Sequence, residues 1–260
     1  MEYKRTKGCS PLSRIFTLDG IIGFGDRARD FTPLHRDRTE ARRMGFEDTP
    51  VIGADLAARA ACLARETEPG PLNIQVITFH QPVYPSKEVK FYAAPCGIIE
   101  IGEETMCVDA THEHKVMSPQ PRDRTQLVYQ ERGFWDRRRG EELRRFLDTQ
   151  EKEDLVVIVA IAPSTLLQYL TRLNEKLNTC EPGGINRSME TIVYRSFCDA
   201  GPLDVCVYEE RHRPVRDKHM YVFGVDLIDS DEIVARSRIT CMTNTALDTR
   251  SLRPDYGLSP

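Results

Sequence analysis

The sequence predicts an α+β fold built from two tandem copies of one unit: a strand, a helix, then four antiparallel strands that wrap the helix. Three observations carry this expectation. A helical segment in the first half is followed by four strand-like segments, at residues 72–80, 88–94, 97–101 and 105–117. A second helical segment is followed by four more, at 190–197, 203–210, 220–227 and 232–242. At 260 residues the chain is long enough for two modest domains, each with a real core.

The first copy opens with a short strand near residues 13–18. Its helix covers about 53–66, with Leu56, Ala60, Leu63 and Ala64 on one face at helical spacing. The second copy opens with Leu155-Val156-Val157-Ile158-Val159-Ala160-Ile161, an apolar β-branched run that reads as a buried strand. Pro163-Ser164-Thr165 then starts a helix, and Leu166, Leu167, Leu170, Leu173 and Leu177 supply its apolar stripe. Between the copies, Arg132-Gly133-Phe134-Trp135 leads into a charged helical stretch that reads as a surface linker. Its arginines are expected to form a solvated face rather than a phosphate site. The expected division is 1–131 for the first unit, 132–153 for the linker and 154–260 for the second unit.

Composition narrows the function classes. Hydrophobic residues make up 40% and charged residues 29%, with a net charge of −4, so nothing points to nucleic acid or an anionic membrane surface as partner. No apolar run approaches the roughly 20 residues that cross a bilayer; the longest, 155–163, is strand length. No apolar signal core follows Met1-Glu2-Tyr3-Lys4-Arg5, and Gly257-Leu258-Ser259-Pro260 is not a peroxisomal tripeptide, so a cytoplasmic location is expected. The eight cysteines include no C-x-x-C pair. Reduced thiols are expected, with Cys198–Cys206 as the disulfide to test, and no metal-finger spacing is present.

The two copies differ where it matters for chemistry. In the second, the strand runs almost directly into the helix; in the first, residues 19–49 intervene, and a long insertion in a compact domain is often functional. That insertion holds Arg29-Asp30-Phe31-Thr32-Pro33-Leu34-His35-Arg36-Asp37. Asp30 and His35 lie five positions apart around a proline that stiffens the turn. A carboxylate and an imidazole held together can pass protons in both directions near neutral pH. Read as structure alone, the string is a surface turn with Asp30 capping the following backbone. Downstream come Ala41, Gly45-Phe46, and then Ile52-Gly53, where a glycine opens an apolar helix.

This series resembles the MaoC-like (R-specific) enoyl-thioester hydratases, whose signature reads D-x-N-P-x-H, an alanine, a phenylalanine, then H-G before a helix. Thr78-Phe79-His80-Gln81-Pro82-Val83 is similar to the family's F-x-x-P-V element, with Ser86-Lys87 in place of its Gly-Asp. The resemblance covers about residues 20–115 and implies a double hotdog fold. It also implies a hydro-lyase that needs no metal or redox cofactor, acting on a β-hydroxyacyl or enoyl thioester, or a polyketide-like substrate, carried by coenzyme A or an acyl carrier protein. By the same resemblance Asp30 and His35 are the acid–base pair and Thr32 stands where the family has an orienting asparagine. Gly53 N–H, at a helix start whose first amides are unpaired, would polarise the thioester carbonyl. Ile52 replaces the family's histidine. Ile52, Phe31, Phe46 and His80 are the expected substrate contacts.

Eukaryotic double-hotdog members of the family usually carry the motif in the second copy, whereas here it lies in the first. With Thr32 and Ile52, this keeps a second reading open: a tailoring enzyme of secondary metabolism that cyclises, isomerises or performs a cycloaddition. A third is a non-catalytic binding subunit. Monomer and homodimer are both compatible with the pattern. Other features read more plainly. Asp37 is expected to cap a helix over 38–44. Arg27, Arg29, Arg36, Arg38, Arg42 and Arg43 are expected to pair with nearby acids rather than with ligand phosphates. Ile22-Gly23-Phe24-Gly25 lacks the third glycine of a dinucleotide loop. His112 and His114 share a strand face, too few ligands for a metal without a third.

Overall fold

A computed structural model describes residues 12–67, 71–94, 97–102, 106–148, 154–177, 185–196 and 202–252. The first half runs β1 (Leu12–Ile15), α1 (Leu18–Ala28), a 3-10 turn (Pro33–His35), α2 (Arg38–Arg43), α3 (Gly53–Thr67), then β2 (Ile74–Phe79), β3 (Glu88–Ala94), β4 (Ile98–Gly102) and β5 (Met106–Glu113). The second half runs β6 (Leu127–Trp135), α4 (Arg137–Leu147), α5 (Asp154–Leu177), then β7 (Ile185–Val193), β8 (Leu203–Val215), β9 (Lys218–Asp229) and β10 (Glu232–Thr243). All ten strands join one antiparallel sheet in the order β1-β3-β4-β5-β2-β7-β10-β9-β8-β6. Read from either edge to the centre, the order is the same with β6 in the place of β1 and β7 in the place of β2. The double hotdog is therefore two copies of one unit, joined where β2 pairs with β7, and the sheet curls around α3 and α5.

The core lies between the sheet and those two helices. Ala54, Leu56, Ala57, Ala58, Ala60, Ala61 and Ala64 of α3 are all buried. Alanines let α3 pack tightly against α5, whose larger side chains fill the space. The run 155–162, read above as a strand, is instead the first two turns of α5, and each of its residues is buried. A short apolar run surrounded by protein has no exposed face to reveal its period, so sequence alone does not separate the two states. The start at Pro163 has a structural counterpart. Gly53 and Pro163 stand at equivalent distances from the ends of α3 and α5, and α5 extends backwards beyond that point. Pro163 lies inside the helix, and Ser164 and Thr165 donate to the carbonyls of Ala160 and Ile161 around it. Over residues 155–174, α5 is long and apolar enough to cross a membrane, contrary to the expectation that no segment is. Here 78% of that segment is buried inside the protein, which accounts for its composition.

The true opening strand of the second half is β6, which pairs with β8. It spans the expected boundary at 131, and residues 132–148 hold the end of β6 and all of α4 rather than a linker. Asp136 caps α4 through Arg139 N–H, and Arg137–Glu141 and Arg138–Glu142 pair along its exposed face, as expected of a solvated charge run. α4 is the counterpart of α1, and the two pack together through Phe24 and Phe146, with ring centroids 6.2 Å apart. The actual connection between halves, residues 114–126, crosses the outer face of the sheet. Arg122 pins it there, paired with Asp226 and Glu210, while Arg236 donates to Gln120 C=O. Cys62, Cys107, Cys206 and Cys241 are not in disulfides; Cys198 lies outside the described residues.

Candidate active site

The excess of the first half over the second is the segment from Arg29 to Ile52, and it is tied down at many points. Arg29 ends α1 in the left-handed conformation (φ 62°), and Asp30 N–H closes onto Gly25 C=O at 2.8 Å. Asp30 C=O lies only 2.6 Å from where a Cβ on Gly25 would be, so this glycine serves a close backbone approach inside α1 rather than a phosphate loop. Arg36 donates to Asp30 C=O and pairs with Asp26 at 2.6 Å. Asp37 caps α2, as expected, by accepting from Thr39 and Glu40 N–H. Arg38 grips Asp48 with two hydrogen bonds, which closes the loop beyond α2. Val51 N–H bonds Val83 C=O, fixing the approach to α3. The insertion's other arginines are also engaged locally: Arg43 pairs with Glu40, Arg42 donates to Glu47 C=O, and Arg27 and Arg29 lie over the rings of Phe146 and Phe134.

These ties bring Asp30 and His35 together. His35 Nδ1 is 2.8 Å from Pro50 C=O, and since a carbonyl can only accept, Nδ1 carries a proton there. In the neutral ring Nε2 is then the free base, and it stands 4.0 Å from Asp30 Oδ2. That gap is too wide for a hydrogen bond but suits an oxygen held by both groups at ~2.8 Å. Asp30 is 2% exposed, and its Oδ1 accepts Thr32 N–H at 3.1 Å. Thr32 therefore orients the carboxylate through its backbone; its hydroxyl makes no cap hydrogen bond.

The pair opens into a cavity of about 240 Å³. Leu34, Phe46, Val51, Ile52, Leu56 and Val83 form apolar walls, and Gly53 and Ala54 stand at the helix start. Asp55 and Leu56 N–H both turn back to Ile52 C=O. Among the described residues the amides of Gly53 and Ala54 have no acceptor, so two donors at a helix N-terminus are available at the cavity wall. A Cβ on Gly53 would come within 3.2 Å of the Phe79 ring, which explains the glycine.

Of the expected substrate contacts, Ile52, Phe46 and His80 line the cavity. His80 Nε2 is bonded to the Asp109 carboxylate. Phe31 is a correction: it is 58% exposed, outside the lining, with Arg36 over its ring, because the turn that buries Asp30 sends the next side chain outward. His112 is buried as well, bonded through Nδ1 to Gly97 C=O and through Nε2 to Gln75; burial pushes its pKa down. Missed by sequence reasoning are Pro163 and Leu167 of α5 and Ile185, Asn186 and Arg187 of β7, which the second half contributes to the same cavity. No local pattern marks them, since only the β2–β7 junction brings them there.

No protein-family model matches the chain. A mitochondrial 3-hydroxyacyl-[acyl-carrier-protein] dehydratase of Arabidopsis thaliana is 30% identical over 78 residues, which is 30% of this chain and 47% of that protein. The match thus spans about half of that relative. Among solved structures, a MaoC-like dehydratase superposes with a TM-score of 0.59 at 9% identity, covering 91% of this chain and 97% of the other. A MaoC domain protein dehydratase from Chloroflexus aurantiacus gives 0.60 at 8%, covering 90% and 93%. A pyran synthase domain of the sorangicin pathway gives 0.52 at 10%, covering 94% and 98%. With ten strands curled around two helices and a dehydratase-like stretch of sequence, this chain is a double-hotdog protein with the fold of the MaoC-like dehydratases.

Proposed function

We propose that the chain is a hydro-lyase that adds water to an enoyl thioester, or removes it from a β-hydroxyacyl thioester, using Asp30 and His35. One observation carries the reading: a free Nε2 on His35, its tautomer set by Pro50, faces a buried carboxylate across a gap that fits one water, beside two open helix amides. In the hydration direction, a water held by Asp30 Oδ2 and His35 Nε2 attacks the β-carbon. Nε2 takes its proton, and the electron pair of the double bond moves to the thioester oxygen, where Gly53 N–H stabilises the enolate. Nε2–H then protonates the α-carbon, which restores the thioester. Dehydration is the reverse. The apolar walls exclude other water and strengthen each of these interactions. The Arabidopsis relative's name, a 3-hydroxyacyl-[acyl-carrier-protein] dehydratase, agrees with this reaction.

A second reading rests on Ile52. This buried apolar residue stands where the resembled family has a histidine, and it leaves an apolar wall beside the pair. In such a site the substrate's own hydroxyl can replace water as nucleophile and close a ring, the chemistry named for the pyran synthase domain of similar fold.

The test is incubation with crotonyl-CoA and a longer trans-2-enoyl-CoA, following loss of enoyl absorbance. We expect hydration by the wild type and a loss of about 10²–10⁴-fold in kcat/KM in Asp30→Asn and in His35→Ala. Turnover of neither substrate, together with cyclisation of a hydroxy-enoyl thioester, selects the second reading. Binding without any turnover leaves a non-catalytic subunit.

A further inference from the structure

Ile185, Asn186 and Arg187 are consecutive, yet all three line the cavity. In a regular strand successive side chains point to opposite faces, so three in a row on one cavity require an irregularity. It is present: Ser188 pairs with Thr240 and Asn186 with Cys241, so Arg187 is an extra residue without a cross-strand partner, a β-bulge. Bulges re-aim side chains and are common beside active sites. The side chain so aimed is a guanidinium. Among the described residues it has no ion pair or hydrogen bond, whereas Arg27, Arg29, Arg36, Arg38, Arg42 and Arg43 near the same site are all engaged. Asn186, its neighbour on the strand, lines the same cavity, and its amide can donate to the same oxyanion.

We propose that Arg187 binds an oxyanion of the ligand, phosphate or carboxylate, and so sets which substrates the cavity accepts. The assignment rests on the thioester reading above. A thioester substrate has two places for such an anion: the phosphates of its carrier, or a carboxylate on the acyl chain. Arg187 is exposed and stands on the half of the molecule opposite the Asp30/His35 segment. It is therefore assigned to binding, and its loss changes affinity rather than the chemical step.

The experiment titrates three saturated thioesters, which bind without reacting, into wild type, Arg187→Gln and Arg187→Lys by calorimetry. Butyryl-pantetheine carries no charge, butyryl-CoA carries phosphates on the carrier, and glutaryl-pantetheine carries a carboxylate on the acyl chain. Arg187→Gln is expected to weaken binding of an anionic ligand by about five- to tenfold, with part of the loss restored by lysine and butyryl-pantetheine unaffected. Loss confined to butyryl-CoA identifies the carrier phosphate, and loss confined to glutaryl-pantetheine identifies the acyl carboxylate. Unchanged affinity for both, or an equal loss for the uncharged ligand, overturns the role of Arg187 while wild-type binding keeps the thioester reading intact. A wild type that binds none of the three overturns the thioester reading, and the assignment falls with it.

Discussion

His35 and Gly53 each owe their candidate role to a contact that the local string does not contain. In the neutral ring of His35, Nε2 is the unprotonated nitrogen because Pro50 C=O, fifteen positions away, accepts from Nδ1. Gly53 is a glycine because Phe79 lies against it. Gly53→Ala is expected to push the ring or the helix start by a few tenths of an ångström, and a shift of the open amides lowers kcat by about tenfold or more. Steady-state kinetics checks this, with the melting temperature as a control for folding. Away from the site, Asp55 and Arg59 form a fully buried pair on α3 at 2.7 Å, and desolvation pushes the Asp55 carboxyl upward despite its partner. Arg59→Met removes the carboxylate's ion-pair partner and leaves Arg14 as its remaining cationic neighbour, so a loss of about 3 kcal/mol is expected in urea unfolding. The double substitution Asp55→Leu with Arg59→Met should recover most of it, because neither charge then remains to be desolvated.

Among the elements, α5 distinguishes the two halves. Its first two turns have no counterpart in α3, whose start is preceded instead by the Asp30/His35 segment. An apolar helix thus stands ahead of the position at which the other half carries the Asp30/His35 segment. Ile158 is wholly buried there, and Ile158→Ala should cost about 2–4 kcal/mol with little change in turnover. β5 carries a second testable feature. His112 is neutral in the folded state, its pKa lowered by burial, whereas the unfolded chain takes up a proton near the ordinary value of about 6.5. Between those two values the unfolded state binds more protons, so stability is fully present above pH ~6.5 and falls as pH drops below it. Melting temperatures measured from pH 8 to 5 should show this decline, and His112→Gln should flatten it.

At the scale of the molecule, the two halves form one sheet, and the β2–β7 pairing places Arg187 and Leu167 at a cavity whose acid–base pair comes from the other half. The connection at 114–126 secures this arrangement from outside. A Cβ on Gly224 would fall within 2.4 Å of the Arg122 guanidinium that holds the connection down. Gly224→Ala is therefore expected to displace Arg122, expose Asp226 and Glu210, and cost about 1–3 kcal/mol. Faster amide exchange across 114–126, with β2 and β7 unaffected, would identify the connection as the part released.

Much of this was legible in the sequence because it is local. Strands β2–β5 and β8–β10, helix α3, the Asp37 cap and the Asp30/His35 turn all follow from periodicity, proline placement and capping chemistry within a few residues, whereas β7 begins at Ile185, five residues ahead of the expected start at 190. Where a pattern lost its exposed face, it lost its meaning: residues 155–161 read as a strand, and only enclosure by the sheet made them helix. The pairing of β6 with β8, which turns an apparent linker into an edge strand, is a contact between distant segments that no local window contains. The same holds for the whole second-half wall of the cavity. Sequence determined that the first half carries a carboxylate and an imidazole in one turn. Tertiary structure decided what surrounds it, because burial, tautomer and the aim of a bulged arginine are properties of contacts between segments that meet only when the sheet closes.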